Sequence, residues 1–132
     1  MQQSVLLAVN GTLMRGLALE QNMINAGAHF VKEARTAPQY RLWSIDDKHP
    51  AMLRVNAGEQ GVAVALEVWE VPAAGLTSIL LGEPAGLSIG KVRLQSGETV
   101  LGVIGEPALV CGQKEISAFG GWREYLHAIQ NS

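Results

Sequence analysis

Short apolar runs separated by turn residues set the pattern of this chain and predict mostly strands. The first run, Ser4–Val9 (SVLLAV), stops at Asn10 and Gly11, which is typical of a buried strand that leads into a tight turn. Apolar residues at helical spacing follow over Leu17–Ala26, and Gly27 suits the position just after a helix. We therefore expect a strand, a turn and a short helix at the start of the chain.

The central part of the chain carries the strongest strand signal. The run Val62–Val71 (VAVALEVWEV) is almost continuously apolar, which predicts a central strand covered on both faces. Further strands are predicted at Ala28–Ala34, Gln39–Ile45 and Met52–Val55, and a polar loop at Asp46–Pro50.

Two helices and a hairpin complete the predicted elements. Pro72 is well placed to begin a helix over Ala73–Leu81, and Lys91–Gln95 and Thr99–Ile104 flank a turn in the pattern of a β-hairpin. Trp122–Ile129 places its apolar residues on one face, so a terminal helix should pack on the sheet. Residues 1–132 are therefore predicted to form one α+β domain: a mixed sheet curled into a partial barrel, with two or three helices packed against it.

Composition and charge exclude several classes of function. The net charge is −2 and the Lys and Arg residues are scattered singly, so no basic stripe indicates a nucleic-acid partner. Cys111 is the only cysteine and the three histidines lack ligand spacing, so we expect no metal and no other cofactor. No apolar run is long enough to span a membrane and no charged leader is visible, so we expect a cytoplasmic protein without a membrane partner.

A glycine-flanked turn after the first strand is the first candidate for chemistry. Its sequence is N-G-T-L-M-R-G, from Asn10 to Gly16. Successive backbone N–H groups in such a turn can form a concave nest that binds a carboxylate, and a following helix N-terminus adds to the attraction. We therefore predict substrate-binding roles for Asn10, Gly11, Thr12 and Leu13; a plain tight turn is the alternative.

Arg35 is the second candidate for substrate binding. An arginine side chain can clamp a carboxylate through two parallel hydrogen bonds. A structural ion pair or a hydrogen bond to a loop is the alternative for this residue.

Three segments resemble motifs of the γ-glutamylcyclotransferase-like proteins. The Asn10–Gly16 segment is similar to their Y-G-[ST]-L-x-x-G loop, and Ala34–Trp43 (ARTAPQYRLW) to A-R-T-x-P-x-Y-R-L-[YW]. Leu66–Pro72 (LEVWEVP) resembles their central strand and the start of their crossover helix. Because the three segments occur in the family's order, the resemblance implies the γ-glutamylcyclotransferase-like fold.

A closer resemblance, over about Val5–Leu126, is to the C-terminal domain of allophanate hydrolases. Gly27–Val31 (GAHFV) is similar to that domain's G-A-x-[FL]-V, and Glu83–Val92 (EPAGLSIGKV) to its P-A-P-L-G-I-G-x-V. The most specific match is Glu115–Leu126 (EISAFGGWREYL), which is similar to D-I-[ST]-A-F-G-G-W-R-A-Y-L.

In that family the domain follows an amidase domain that carries a Ser-Ser-Lys triad. This chain begins at the first strand of the small domain, so we expect no amide hydrolysis by that triad. What the resemblance then implies is the small domain's own role, which is either decarboxylation of an N-carboxycarbamate product or assembly.

The resemblance also implies a candidate catalytic residue. Active γ-glutamylcyclotransferases carry a glutamate after the crossover helix as general base and acid, and the count from Val68 leads to Glu83. A carboxyl group suits this role when partial burial raises its pKa. Glu70 is the competing carboxylate, and a solvated or structural role for both is the alternative. At position 10 this chain has Asn where the cyclotransferases carry Tyr. At position 83 it has Glu where the allophanate hydrolase domains carry an apolar residue.

Two functional hypotheses follow. The first is a stand-alone module with a pocket, where Arg35 and Glu83 meet the Asn10–Gly16 turn, for a small anionic amide, carbamoyl or γ-glutamyl-like compound of urea-derived nitrogen metabolism. If this module is active, it is a cyclotransferase-like lyase or a decarboxylase. The second hypothesis is a non-catalytic module that associates with a separate amidase or, as a homodimer, with itself. A carboxylate in a buried pocket favours the first, and an exposed Glu83 beside a large apolar surface favours the second.

Overall fold

Eight strands and four α-helices make up the fold in a computed structural model that describes residues 3–131. The strands are β1 (Ser4–Val9), β2 (His29–Arg35), β3 (Tyr40–Ile45), β4 (His49–Arg54), β5 (Ala65–Pro72), β6 (Leu87–Arg93), β7 (Thr99–Gly105) and β8 (Lys114–Glu115). The helices are α1 (Glu20–Asn25), α2 (Ala73–Gly82), α3 (Pro107–Val110) and α4 (Trp122–Gln130), with a 3-10 turn at Ser117–Phe119. The predicted α+β class is confirmed.

The larger of two sheets is mixed and has five strands in the order β2-β5-β1-β7-β6. Strand β5 pairs antiparallel with both β1 and β2, whereas β1 and β7 are parallel. The smaller sheet, in the order β4-β3-β8, is antiparallel. The long apolar run of the sequence thus lies inside the larger sheet, as its pattern predicts.

The larger sheet is curled, so that the residues just after its two edge strands, β2 and β6, come into contact. An isolated bridge joins Thr36, just after β2, to Leu94, just after β6, and the Gln95 N–H donates to the Arg35 carbonyl over 2.9 Å. The edge strands themselves do not pair within residues 3–131, so the sheet is a partial barrel and does not close.

Several boundaries differ from the sequence-based expectations. Strand β4 begins at His49, inside the predicted polar loop, because all six of its residues pair with β3. The tight reversal between β3 and β4 is made by Asp46 and Asp47, whose φ angles are 54° and 57°. Aspartate tolerates this left-handed region better than most residues do. The short helix α3 and strand β8 carry too weak a periodicity to be predicted.

Helix α4 is held against the sheets by aromatic burial and by polar contacts at its start. Trp122 and Tyr125 are 2% and 1% exposed, and their ring centroids lie 5.6 Å apart. The Tyr125 hydroxyl donates to Asp47 Oδ1 over 2.6 Å, which ties the helix to the β3–β4 turn. Gly120 precedes the helix with a φ of 80°, a conformation that favours glycine.

Glu67 is a buried carboxylate on β5, only 3% exposed. Its Oε1 accepts from the Arg15 N–H at 2.9 Å and from Trp69 Nε1 at 3.1 Å. Its Oε2 accepts from Arg15 Nε at 3.1 Å and from Arg123 Nη2 at 3.4 Å. Four donors thus satisfy a charge that would otherwise be strongly unfavourable in the core.

We predict that Trp122→Ala lowers the free energy of unfolding by about 3–5 kcal/mol, because the ring is fully buried at the junction of α4 and the sheet. The measurement is chemical denaturation. Leu81→Ala is the control, since Leu81 is 81% exposed and its truncation should change stability by less than about 0.5 kcal/mol. A Trp122→Ala loss as small as that of the control would contradict a structural role for the terminal motif.

We predict that Glu67→Ala lowers the free energy of unfolding by about 2–3 kcal/mol, below the usual range for a broken buried ion pair. The expected loss is smaller because the side chains of Arg15 and Arg123 are 42% and 40% exposed, so that water can hydrate them once the carboxylate is gone. Glu70→Ala on the same strand is the matched control; Glu70 is exposed, and the loss should stay within about 0.5 kcal/mol. Equal losses in the two variants would show that the four donors add no net stability.

Candidate functional site

The structure brings most of the predicted site residues to one narrow cavity. Asn10, Gly11, Thr12, Leu13 and Glu83 all line it. The remaining lining residues come from β1, β4, β6 and β7, and they are Val9, His49, Pro50, Leu87 and Val103.

Two strand ends and one helix end position these groups. Strand β1 ends at Val9, so the turn that follows leaves the sheet beside β7 and the start of β4. Asn10 is 4% exposed, and its Nδ2 donates to the Val103 carbonyl over 3.0 Å, which fixes the amide against β7. Glu83 lies directly after α2 in an extended conformation, with φ −78° and ψ 149°. The helix therefore stops where the carboxyl group can turn toward the cavity.

The carboxyl group of Glu83 is the unusual group of this site. Its Oε1 atom is buried and makes no hydrogen bond within the described residues. Burial raises the pKa of Glu83 from 4.5 to about 7. The cause is desolvation, which disfavours the charged form. Near neutral pH the group can thus act as a proton donor in one form and as an acceptor in the other.

The backbone N–H groups of the turn have no acceptor in the part of the protein that the structure describes. Within residues 3–131, the N–H groups of Gly11, Thr12 and Leu13 donate to no protein acceptor. The turn is nevertheless fixed at both ends, since the Met14 N–H donates to the Gly11 carbonyl at 3.0 Å and the Leu19 N–H to the Thr12 carbonyl at 2.8 Å. Free N–H groups in a fixed turn are the elements of an anion site.

The cavity is closed on one side by His49 and Pro50. A Cβ atom on Gly11 would lie 2.5 Å from Pro50 Cδ, so only glycine permits this approach. The His49 Nδ1 atom lies 3.0 Å from the Pro50 carbonyl oxygen. The remaining volume is about 20 Å³, room for roughly one water molecule. His49 and Pro50 lie in the segment predicted as a polar loop, and only the pairing of β4 with β3 brings them here.

Arg35 and Glu70 lie elsewhere. Arg35 lines a separate cavity together with Glu67 and Arg123. Glu70 is exposed, and its Oε2 accepts from the Ser4 hydroxyl over 3.2 Å. Of the two carboxylates weighed from the sequence, Glu83 is therefore the one that the fold brings to the Asn10–Leu13 turn.

Three further findings concern the part of the chain that the structure describes. No three His, Cys, Asp or Glu side chains in it come close enough together to hold a metal ion. None of its helices is both long and apolar enough to cross a membrane. Cys111 is exposed.

The chain is similar to a known family over almost its whole length. The family model of the allophanate hydrolase C-terminal domain matches residues 5–127. Urea amidolyase from Lachancea kluyveri is 31% identical over 134 residues, which cover 98% of this chain and 7% of that protein. The chain thus spans a small part of the curated relatives that it matches.

Solved structures agree with this match. The uropathogenic E. coli-specific protein c4763 superposes with a TM-score of 0.92 at 54% identity, over 95% of this chain and 97% of that chain. Allophanate hydrolase from Kluyveromyces lactis superposes with a TM-score of 0.90 at 32% identity, over 96% of this chain and 22% of that chain. The fold alone extends to an AIG2-like protein from Mus musculus, with a TM-score of 0.60 at 19% identity over 81% of this chain and 79% of that chain.

We predict that Glu83→Gln stabilises the protein more at pH 8 than at pH 5. A carboxyl group whose pKa rises on folding favours the folded state while it stays protonated, and this contribution is lost as the pH rises from 4.5 toward about 7. Gln stays neutral throughout, so the difference in melting temperature between variant and wild type should grow with pH. Glu106→Gln, which makes the same substitution at an exposed position, is the control. A Glu83→Gln difference that is constant between pH 5 and pH 8 would contradict the buried carboxyl.

Proposed function

Because this chain belongs to the family of allophanate hydrolase C-terminal domains, we propose that it binds a small carbamoyl compound in the cavity beside Glu83. Relatives named urea amidolyase and allophanate hydrolase place the family in urea-related nitrogen metabolism. The observation that carries the proposal is the buried, unpartnered Oε1 of Glu83 in a cavity shared with the Asn10–Leu13 turn. A buried polar atom without a hydrogen bond is energetically unfavourable, and a hydrogen bond to a ligand or to water removes this cost.

The size of the cavity favours a carbamoyl compound over a γ-glutamyl amine. With about 20 Å³ of free volume, the cavity has room for roughly one water molecule, so any ligand requires the His49–Pro50 wall to shift. A γ-glutamyl amine is larger than N-carboxycarbamate and would require the larger shift. Since interiors resist such displacement, the smaller ligand is the better fit.

The reaction that suits these groups is a decarboxylation assisted by a proton donor. In an N-carboxycarbamate, the bond between nitrogen and one carboxylate carbon breaks, carbon dioxide leaves, and the electron pair stays on nitrogen. The neutral form of Glu83 delivers its proton to that nitrogen. The product is carbamate, and Glu83 then recovers a proton from water. The N–H groups of Gly11, Thr12 and Leu13 hold the carboxylate that remains.

The pKa of Glu83 suits this proton transfer. At about 7, the group is protonated in a substantial share of molecules near neutral pH, as a donor must be. Burial also makes the ionised form less favourable than it is in water, because the Oε1 atom has no donor within the described residues to stabilise its charge. Reprotonation of Glu83 after each transfer is therefore easier than for an exposed glutamate.

A second candidate function is assembly with a separate amidase or with another copy of the chain. Exposed apolar side chains on α1 and α2 favour it: Ile24, Leu80 and Leu81 are 49%, 40% and 81% exposed. Such side chains are typical of contact surfaces when they are contiguous. The buried carboxyl group of Glu83 argues against assembly as the sole function, because an assembly module does not require such a group.

We predict that Glu83→Gln abolishes decarboxylation while the fold stays intact, because Gln keeps the size of the side chain but has no acidic proton to give. N-carboxycarbamate is supplied in situ from allophanate by a purified amidase, and carbon dioxide release is followed in excess of the uncatalysed rate. The wild-type rate should fall as the pH rises through about 7, where Glu83 ionises. A γ-glutamyl amine is tested in parallel and should not react.

The matched control is Glu70→Gln, which changes the competing carboxylate on the surface and should leave the rate unchanged. Equal rates in wild type and Glu83→Gln would remove Glu83 from the mechanism. No rate above background in either protein would leave the assembly function as the better account.

A further inference from the structure

A second cavity lies on the opposite side of the Asn10–Gly16 turn. Its volume is about 380 Å³, within the range of sites for small molecules. Leu13 lines the Glu83 cavity and Met14 lines this one, so the turn separates the two. The charged and amide side chains that line the second cavity are Glu33, Arg35, Glu67, Gln95, Arg123 and Glu124.

Most charges at this cavity are already neutralised. Glu67 is paired with Arg15 and Arg123, with nitrogen–oxygen distances of 3.1 and 3.4 Å. Glu33 is paired with Arg15 at 3.1 Å. These pairs close the inner wall of the cavity and leave it without a net charge to attract a simple ion.

Two opposite charges at the cavity remain without partners. Within residues 3–131, neither the guanidinium of Arg35 nor the carboxylate of Glu124 makes an ion pair or a side-chain hydrogen bond. They also do not pair with each other, although both line the same cavity. Gln95 adds an amide side chain to the same wall, and this amide makes no hydrogen bond to the residues that the structure describes.

The two unpaired groups converge on one glycine pair. The Nη1 atom of Arg35 lies 3.8 Å from where a Cβ on Gly120 would be. The Oε2 atom of Glu124 lies against the corresponding position of Gly121, where a Cβ would also lie 3.0 Å from Ala65 Cβ. Since Gly120 and Gly121 are consecutive residues, the cation and the anion both lie next to the start of α4.

From this arrangement we propose that the second cavity binds a small zwitterion of the α-amino-acid type. The ligand carboxylate accepts from the guanidinium of Arg35, and its ammonium group donates to the carboxylate of Glu124. The side chain of the ligand points along the cavity toward Gln95, whose amide can pair with a second amide or a hydroxyl. This site is separate from the Glu83 cavity and does not rest on the function proposed for it.

The balance of charge decides against other ligands. A phosphate or a dicarboxylate would meet Arg35 but would also face Glu124, the carboxylate that no ion pair neutralises. A simple amine would gain Glu124 but would face the unpaired guanidinium of Arg35. A ligand that carries both charges satisfies the unpaired groups without adding repulsion.

The test is a titration of the full chain with glycine and with L-glutamine, followed by the backbone amide shifts of Gly120 and Gly121 in NMR spectra. Acetate, methylammonium and inorganic phosphate are titrated under the same conditions. Both amino acids should give saturable shifts in the millimolar range, whereas the three ions that carry charge of only one sign should not. Arg35→Gln and Glu124→Gln should each weaken binding about tenfold or more, since each removes one charge-assisted contact.

The controls are Arg54→Gln and Glu106→Gln, which remove the same charges at exposed positions outside the cavity, and Glu83→Gln in the other cavity. All three should bind glycine as the wild type does. The proposal would be overturned by absent or non-saturable shifts, by equal shifts with acetate or phosphate, or by unchanged affinity in the folded Arg35→Gln variant. Loss of activity in Glu83→Gln without loss of glycine binding keeps the two sites distinct.

Discussion

The buried carboxylate of Glu67 is the interaction on which the arrangement of both cavities depends. It lies on the inner strand β5 and accepts from the Arg15 backbone, the Arg15 side chain, Trp69 and Arg123. A carboxylate in this position is stable only while several donors surround it. Since the donors come from the first turn and the last helix, one charge fixes two parts of the chain that are 108 residues apart in sequence.

The Asn10–Gly16 turn is shaped by this charge from one side and by packing from the other. Arg15 binds Glu67, while Pro50 packs closely on Gly11. Between these two contacts, the N–H groups of Gly11, Thr12 and Leu13 stay free of protein acceptors among the described residues. Ion pairs thus hold the wall of one cavity, and the same turn lines the other.

The two cavities differ in the physics that would select their ligands. At Glu83, apolar burial raises the pKa of a carboxyl group that has no partner within the described residues, which suits proton transfer to a small ligand. At the other cavity, exposed and unpaired charges of both signs suit recognition without chemistry. A domain that occupies 22% of an allophanate hydrolase chain and 97% of the E. coli protein c4763 occurs both within longer chains and almost by itself. Its own sites therefore have to be explained from its own residues.

The sequence by itself determined the α+β class, the family and most strand positions, because alternating and continuous apolar runs report which faces are buried. It also predicted that Glu83 and the Asn10–Gly16 turn lie at the same site, and this prediction came from motifs and not from periodicity. The tertiary structure decided what the pattern could not: that Arg35 lies at another cavity, that His49 and Pro50 close the first one, and that Glu67 is a buried charge within an apolar strand. These outcomes depend on contacts between residues far apart in the chain, and no local pattern records which distant donor will meet a given carboxylate.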